Sequence, residues 1–244
     1  MFFFAPIVTL PLFYLAAIYI LAAVLPAFFL MRYVYKQDTI EKEPPHLLGS
    51  LVIMGVLAAL ASIVLEWIGQ TILDVTVDEN DPRYLYMLAF LVVAVIEEGT
   101  KFFFLYRRTW NDPNFNYRFD GIVYAVFVSL GFAAFENVKY VFSYGLSVAL
   151  PRAILAVPGH MGFAVFMGVF YGRARLQADL GNKAGAAVNL ALGYLLAVLL
   201  PGFYDSCCML GTSQSTVAFV IFVAVMYLVV FRLIKHESRT NRPV

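Results

Sequence analysis

Glu97, Glu98 and Lys101 lie within one helical turn of each other, inside an apolar run that extends from Tyr84 to Leu105. A charge at the centre of a membrane helix costs about 2.5–3.5 kcal/mol on insertion scales, so an ionisable residue there is by default a functional candidate. On a helix, Glu97 and Lys101 share a face, whereas Glu98 points roughly 100° away on the same turn. That spacing lets one carboxylate pair with the lysine and leaves the other free. Two carboxylates in unlike surroundings divide into an acid and a base. An ion pair serving only to fix helix packing would need one acid, not two.

Three further polar residues fall inside apolar segments. Glu136, in Gly131-Phe132-Ala133-Ala134-Phe135-Glu136-Asn137, stands sixteen residues beyond Asp120, which on a helix is about 24 Å. His160 follows Pro158-Gly159, and Asp205 closes Pro201-Gly202-Phe203-Tyr204-Asp205. A lone histidine is more often a hydrogen-bonded core residue than a ligand, and Asp205 reads equally well as interfacial. Their depth is what allows Glu136, His160 and Asp205 to reach one polar cavity with Glu97 and Glu98. Asp120 has a plain use as a helix cap. Lys139 reads as a snorkelling lysine or the partner of Glu136. Adjacent Cys207 and Cys208 read as core thiols without a mutual bridge.

These residues need a membrane scaffold to hold them. Apolar residues make up 62% of the chain and charged residues 14%, and several stretches are long enough to cross a hydrocarbon core of about 30 Å. The expected fold is an all-α, polytopic transmembrane bundle of about seven spans: 7–31, 47–73, 85–106, 120–143, 159–172, 184–204 and 215–233. Residues 148–157 would form an extra interfacial or re-entrant helix, with a break at Pro158. One integral membrane domain would fill 1–244, and the apolar N-terminus reads as a retained helix, not a cleaved signal.

Basic residues set the orientation. Arg32, Lys36 and Lys42; Arg107, Arg108 and Arg118; Arg173, Arg175 and Lys183; and Arg232, Lys235, Arg239 and Arg242 all fall on one side if seven helices alternate. The positive-inside rule then puts the N-terminus outside and the C-terminus in the cytoplasm. The net charge of +1 gives no reason to invoke nucleic acid. The small-residue stripe Ala164, Gly168, Gly172 would suit close helix packing, including a homo-oligomer in the lipid bilayer.

Taken in order, Glu97-Glu98-x-x-Lys101, Asp120-Gly-Ile-Val-Tyr, Gly-Phe-Ala-Ala-Phe-Glu136-Asn137, Arg152-Ala-Ile-Leu-Ala-Val-Pro-Gly-His160 and Met167-Gly-Val-Phe-Tyr-Gly172 resemble the PrsW family of intramembrane proteases. Phe132-x-x-x-Glu136 stands where the wider CAAX-processing and bacteriocin-processing group has histidine. The resemblance covers about half of the chain. It implies a multi-pass protein of the bacterial cytoplasmic membrane. The substrate it implies is a membrane-anchored single-span protein of the anti-sigma-factor type, given its first cut on the outer side in a stress response.

It also implies a glutamate-activated water, with Glu97, Glu98, Lys101, Glu136 and His160 as catalytic candidates. His160, Glu136 and Asp205 would bind a divalent metal such as zinc or hydrogen-bond the reacting groups directly. Catalytic zinc sites do mix carboxylate and imidazole, but no His-Glu-x-x-His pair is present. One departure stands out. The family pattern has histidine near the end of the sixth span where this chain has Pro201, which has no side-chain donor and removes a helix hydrogen bond. An inactive protease-like scaffold therefore stays open, as does an ion-coupled transporter, which would also bury carboxylates, lysine and histidine but commonly shows internal repeats.

Overall fold

The computed structural model describes residues 5–244, with side chains from Phe13 onward; Met1–Phe4, part of the reading of the N-terminus as a retained helix, lie outside the described residues. The chain is an all-α membrane bundle. Its helices are α1 (Ala5–Gln37), α2 (Pro45–Thr76), α3 (Tyr84–Met87), α4 (Val95–Thr109), α5 (Asp120–Tyr144), α6 (Ala149–Ile154), α7 (Ala156–Asp179), α8 (Lys183–Leu210) and α9 (Ser213–Arg239). Six helical runs are long and apolar enough to cross a membrane. A seventh run, 84–109, is continuous through a π-helical turn at Leu88–Ala94 and carries the charged residues of α4.

Every residue from Phe119 to Ala133 is buried, so α5 is the post around which α1, α2 and α7 pack. Lipid offers apolar side chains as good a surface as a neighbouring helix does, so close backbone approach has to hold such a bundle together. Glycines supply it. A Cβ on Gly55 would lie 2.0 Å from the Val128 carbonyl oxygen of α5, and one on Gly131 would lie 2.4 Å from the Val52 carbonyl oxygen of α2. Gly121 of α5 meets Gly168 and Gly172 of α7 in the same way, at 2.6–2.9 Å. The stripe expected to suit a homo-oligomer is thus spent inside the chain: Ala164, Gly168 and Gly172 are all buried against their own bundle.

Several boundaries differ from the sequence expectation: the first, sixth and seventh spans run on to Gln37, Leu210 and Arg239, past 31, 204 and 233. The fifth span begins at Ala156, not at 159, and runs on to Asp179. Pro158 does not break the chain because it sits in the first turn of α7, where its missing N–H would have had no partner in any case. The break falls at Leu155 (φ −111, ψ −59). The Tyr227 hydroxyl donates to the carbonyl of Ile154 at 2.7 Å, covering the acceptor that the break exposes, and lies 3.1 Å from that of Leu155, which also accepts from the Gly159 amide at 3.0 Å. The extra helix anticipated over 148–157 is the short α6.

One end of the bundle collects all four basic clusters. There Glu237 accepts from Arg118 at 3.0 Å and Arg173 at 3.2 Å, and Arg118 N–H reaches the Arg242 carbonyl at 3.1 Å. The same end holds the loop 38–44, where Asp38 and Glu43 are buried. Burial pushes the Asp38 carboxyl up to about 6 and that of Glu43 up to about 7.

If these glycine contacts set the helix spacing, Gly131→Ala and Gly168→Ala should each lower stability by about 1–3 kcal/mol through overpacking. Gly49→Ala, whose Cβ would meet nothing within 4 Å, should be neutral or slightly stabilising. Thermal unfolding of the purified chain in detergent reads the difference, and equal effects at all three positions would refute the account.

Candidate active site

The π-helical turn at Leu88–Ala94 leads directly into the turn that bears the two glutamates; such turns inside helices are frequent at functional sites. Phe90 of this turn packs onto Gly202 of α8, where a Cβ would come 2.3 Å from the ring. From α4, the Lys101 ammonium donates to Glu97 Oε2 at 2.9 Å and to Glu98 Oε1 at 2.8 Å. Neither carboxylate is left free of the lysine, contrary to the sequence expectation. Positions three and four residues apart both neighbour one another on a helix, and the long lysine stem settles its nitrogen between them. The third ammonium proton meets His160 Nδ1 at 3.2 Å. Lys101 is 2% exposed, and its nitrogen also lies 3.9 Å from the centre of the Phe132 ring.

That contact fixes the histidine tautomer. An ammonium only donates, so Nδ1 of His160 must accept, and the ring proton sits on Nε2. Nε2 then donates to Glu136 Oε2 at 3.2 Å. Glu136 also accepts from Arg152 of α6 at 2.7 Å, and Arg152 Nε reaches Asn137 Oδ1 at 2.7 Å. Asn137 in turn donates to the Ala23 carbonyl of α1 at 2.8 Å. The partner of Glu136 is therefore Arg152; Lys139 is exposed and lies 5.5 Å from the centre of the Tyr140 ring.

A cavity of about 380 Å³ opens beside this network, towards the end of the bundle opposite the basic clusters. Glu97, Glu136, Arg152, His160, Pro201 and Asp205 all reach its wall, whereas Glu98 does not. Glu98 is 1% exposed and keeps Oε2 without a partner. Asp205 faces the cavity without a hydrogen bond to His160 or Glu136. Pro201 is buried within an otherwise continuous α8. Cys207 and Cys208 are both free thiols, but only Cys207 is buried; Cys208 is exposed on the cavity wall, so it is not the core thiol expected.

Two residues escaped the sequence reading. Glu66 lines the cavity, and it is the only charged residue in the predicted span 47–73, a signal of the same kind as that used for Glu136. Arg152 entered only as a residue of the family motif. Asp120 is a cap of a different sort: its Oδ2 accepts from the amides of Asn116 at 3.1 Å and Tyr117 at 2.7 Å, in the loop before α5 and not inside the helix.

Among the described residues, two sets of three side chains have potential metal-binding atoms within 4.8 Å of one another: Glu97, Glu98 and His160, and Asp38, Glu43 and Asp120. His160, Glu136 and Asp205 do not close into such a set. The first set has the donor types of a catalytic zinc site. The point where its three donors converge, however, is held by the Lys101 ammonium, which already supplies the positive charge. As arranged, these residues do not fit a metal at that point.

A family model described as PrsW family intramembrane metalloprotease matches residues 43–233. Protease PrsW of Shouchella clausii is 31% identical over 220 residues, covering 90% of this chain and 97% of the relative. Protease PrsW of Oceanobacillus iheyensis is 30% identical over 220 residues, covering 90% and 96%, and that of Halalkalibacterium halodurans is 34% identical over 154 residues, covering 63% and 69%. No solved structure matches the chain.

Removing the ammonium should show how the network is balanced. Lys101→Met strands Glu98 as a buried carboxylate and should cost about 3–5 kcal/mol; adding Glu98→Gln should recover a large part of that. Thermal unfolding of the single and double variants in detergent decides it, and a double variant no more stable than the single would sink the account. Maleimide labelling should modify Cys208 and spare Cys207 until the chain unfolds.

Proposed function

The chain belongs to the PrsW family of intramembrane metalloproteases, and on that premise we propose that Glu97 activates the water that cuts a single-span membrane protein in its polar cavity. Family membership makes it a proteolytic enzyme and a multi-pass plasma-membrane protein. One observation carries the proposed division of labour: of the two glutamates, Glu97 faces the cavity while Glu98 is sealed behind it.

In the proposed reaction Glu97 takes a proton from water, and the water oxygen attacks the scissile carbonyl carbon. The oxyanion that forms is stabilised by the guanidinium of Arg152, aimed by Glu136, while His160, whose Nε2–H is spent on Glu136, holds that carboxylate in place. Collapse breaks the C–N bond as Glu97 returns the proton to the leaving amine. Lys101 holds Glu97 in place, and Glu98 holds Lys101. Pro201, Tyr204 and Asp205 form the wall against which an extended peptide lies.

The convergence of the basic clusters at one end supports a seven-span topology with the N-terminus outside and the C-terminus cytoplasmic. The cavity then opens in the outer half of the membrane. A first cut on the outer side of an anti-sigma factor suits that position.

A second reading has a specific basis: the donor types of Glu97, Glu98 and His160 suit zinc, which would enter by displacing Lys101. Cleavage of a single-span anti-sigma factor in reconstituted membranes separates the two. Glu97→Gln should slow cleavage by about 10²–10⁴-fold, the usual contribution of a general base, and a chelator should have no effect. Undiminished cleavage by Glu97→Gln would rule the proposal out, and chelator loss restored by zinc would replace it with the metal reading. Pro201→His, which returns a hydrogen bond to the Ala197 carbonyl, should leave the rate within an order of magnitude; activity only in this variant would mean that the natural chain is an inactive form.

A further inference from the structure

The second set of converging carboxylates has no part in the proposed chemistry. Asp38 and Glu43 belong to the loop between α1 and α2, and Asp120 begins α5, so the set lies at the basic end of the bundle, away from the cavity. All three are buried, at 1%, 3% and 1% exposure. Among the described residues no basic side chain forms an ion pair with any of them. Nearby cations are engaged elsewhere: Lys42 donates to the carbonyls of Tyr35 and Asp38, Arg108 pairs with Asp112 and Arg118 with Glu237.

The unused acceptors are the informative part. Both carboxylate oxygens of Asp38 and Oε2 of Glu43 are buried without any hydrogen-bond partner. Tyr124, one turn into α5 from Asp120 and 0% exposed, directs its hydroxyl at Glu43 without completing a hydrogen bond there or elsewhere. Asp120 spends one oxygen on two backbone amides and keeps the other. Buried acceptors of this kind normally have partners, and a buried carboxylate without a counter-charge is costly.

We propose that Asp38, Glu43 and Asp120, with the Tyr124 hydroxyl beside them, form a binding site for a hard divalent cation that fastens the 38–44 loop to the start of α5. Hard cations take oxygen ligands, and two oxygens on opposite sides of calcium lie about 4.6–5.2 Å apart. Ligand atoms within 4.8 Å of one another suit that size. The site is separate from Glu97, Glu98 and His160 and does not depend on the catalytic reading.

Titration of the purified, chelator-treated full chain with calcium, manganese and magnesium tests this by calorimetry and thermal unfolding. One equivalent of cation should bind and raise the unfolding midpoint in a concentration-dependent manner. Asp38→Asn/Glu43→Gln should abolish both effects. Tyr124→Phe, should the double variant fail to fold, should weaken binding by about 10–100-fold, as loss of an outer partner does at metal sites. No saturable binding of any of the three ions overturns the proposal. So does binding that survives unchanged in these variants, which would assign the cation to another part of the molecule.

Discussion

One buried ammonium organises the interior of this bundle. Lys101 has three protons to donate, and they go to Glu97, Glu98 and His160, with the centre of the Phe132 ring 3.9 Å from the nitrogen. Inside a membrane there is no water to stand in for a missing partner, so each of these groups depends on the others. The requirement reaches well beyond α4. To bring Phe132 and His160 within reach of one lysine, α5 and α7 must run close together, and the glycine contacts at Gly121, Gly168 and Gly172 permit that. Helix spacing and polar chemistry are thus two sides of the same geometric condition.

A second chain of contacts continues from the first. Because the lysine forces His160 to carry its proton on Nε2, the histidine can donate only towards Glu136. Glu136 is in turn balanced by Arg152, and Arg152 by Asn137. Arg152 can turn back into the bundle because it sits on the short α6, cut off from α7 at Leu155. An unbroken helix from 146 to 179 would carry the guanidinium along a straight axis. The break is therefore what brings a positive charge to the wall of the cavity, and Tyr227 covers the Ile154 carbonyl it exposes.

Much of this was legible in the sequence, and what was missed has identifiable physical causes. Long apolar runs announce membrane helices whatever their partners, so the spans of α2 and α5 could be read to within a few residues and the starts of α8 and α9 likewise, whereas their polar last turns run six residues further than read, to Leu210 and Arg239. The order of Glu97-Glu98-x-x-Lys101, Glu136 and His160 announced a polar cluster. Helix geometry alone, however, could not say that one lysine would serve both glutamates, because that depends on the flexibility of the lysine stem. The π-helical turn at Leu88–Ala94 leaves no mark in composition. Pro158 misled because a proline is a breaker only where its N–H is needed, and the first turn of α7 does not need it. The stripe at Gly168 and Gly172 had the right chemistry for close packing, but small residues do not reveal whether the neighbour belongs to the same chain.

The cost of this arrangement argues for its purpose. Replacing a buried ion pair with apolar residues is often neutral or stabilising, so such pairs are weak evidence of a stability role. A single glutamate would balance Lys101, yet the chain buries a second, and the two are not equivalent. Glu98 is wholly enclosed and can act only on its neighbours, whereas Glu97 shares the same ammonium and opens onto the cavity. Packing gives no reason to divide two carboxylates in this way. The proposed chemistry does, because a base that must meet water at membrane depth needs an exposed edge, and the cation that holds it needs a counter-charge that stays in place when that base takes a proton.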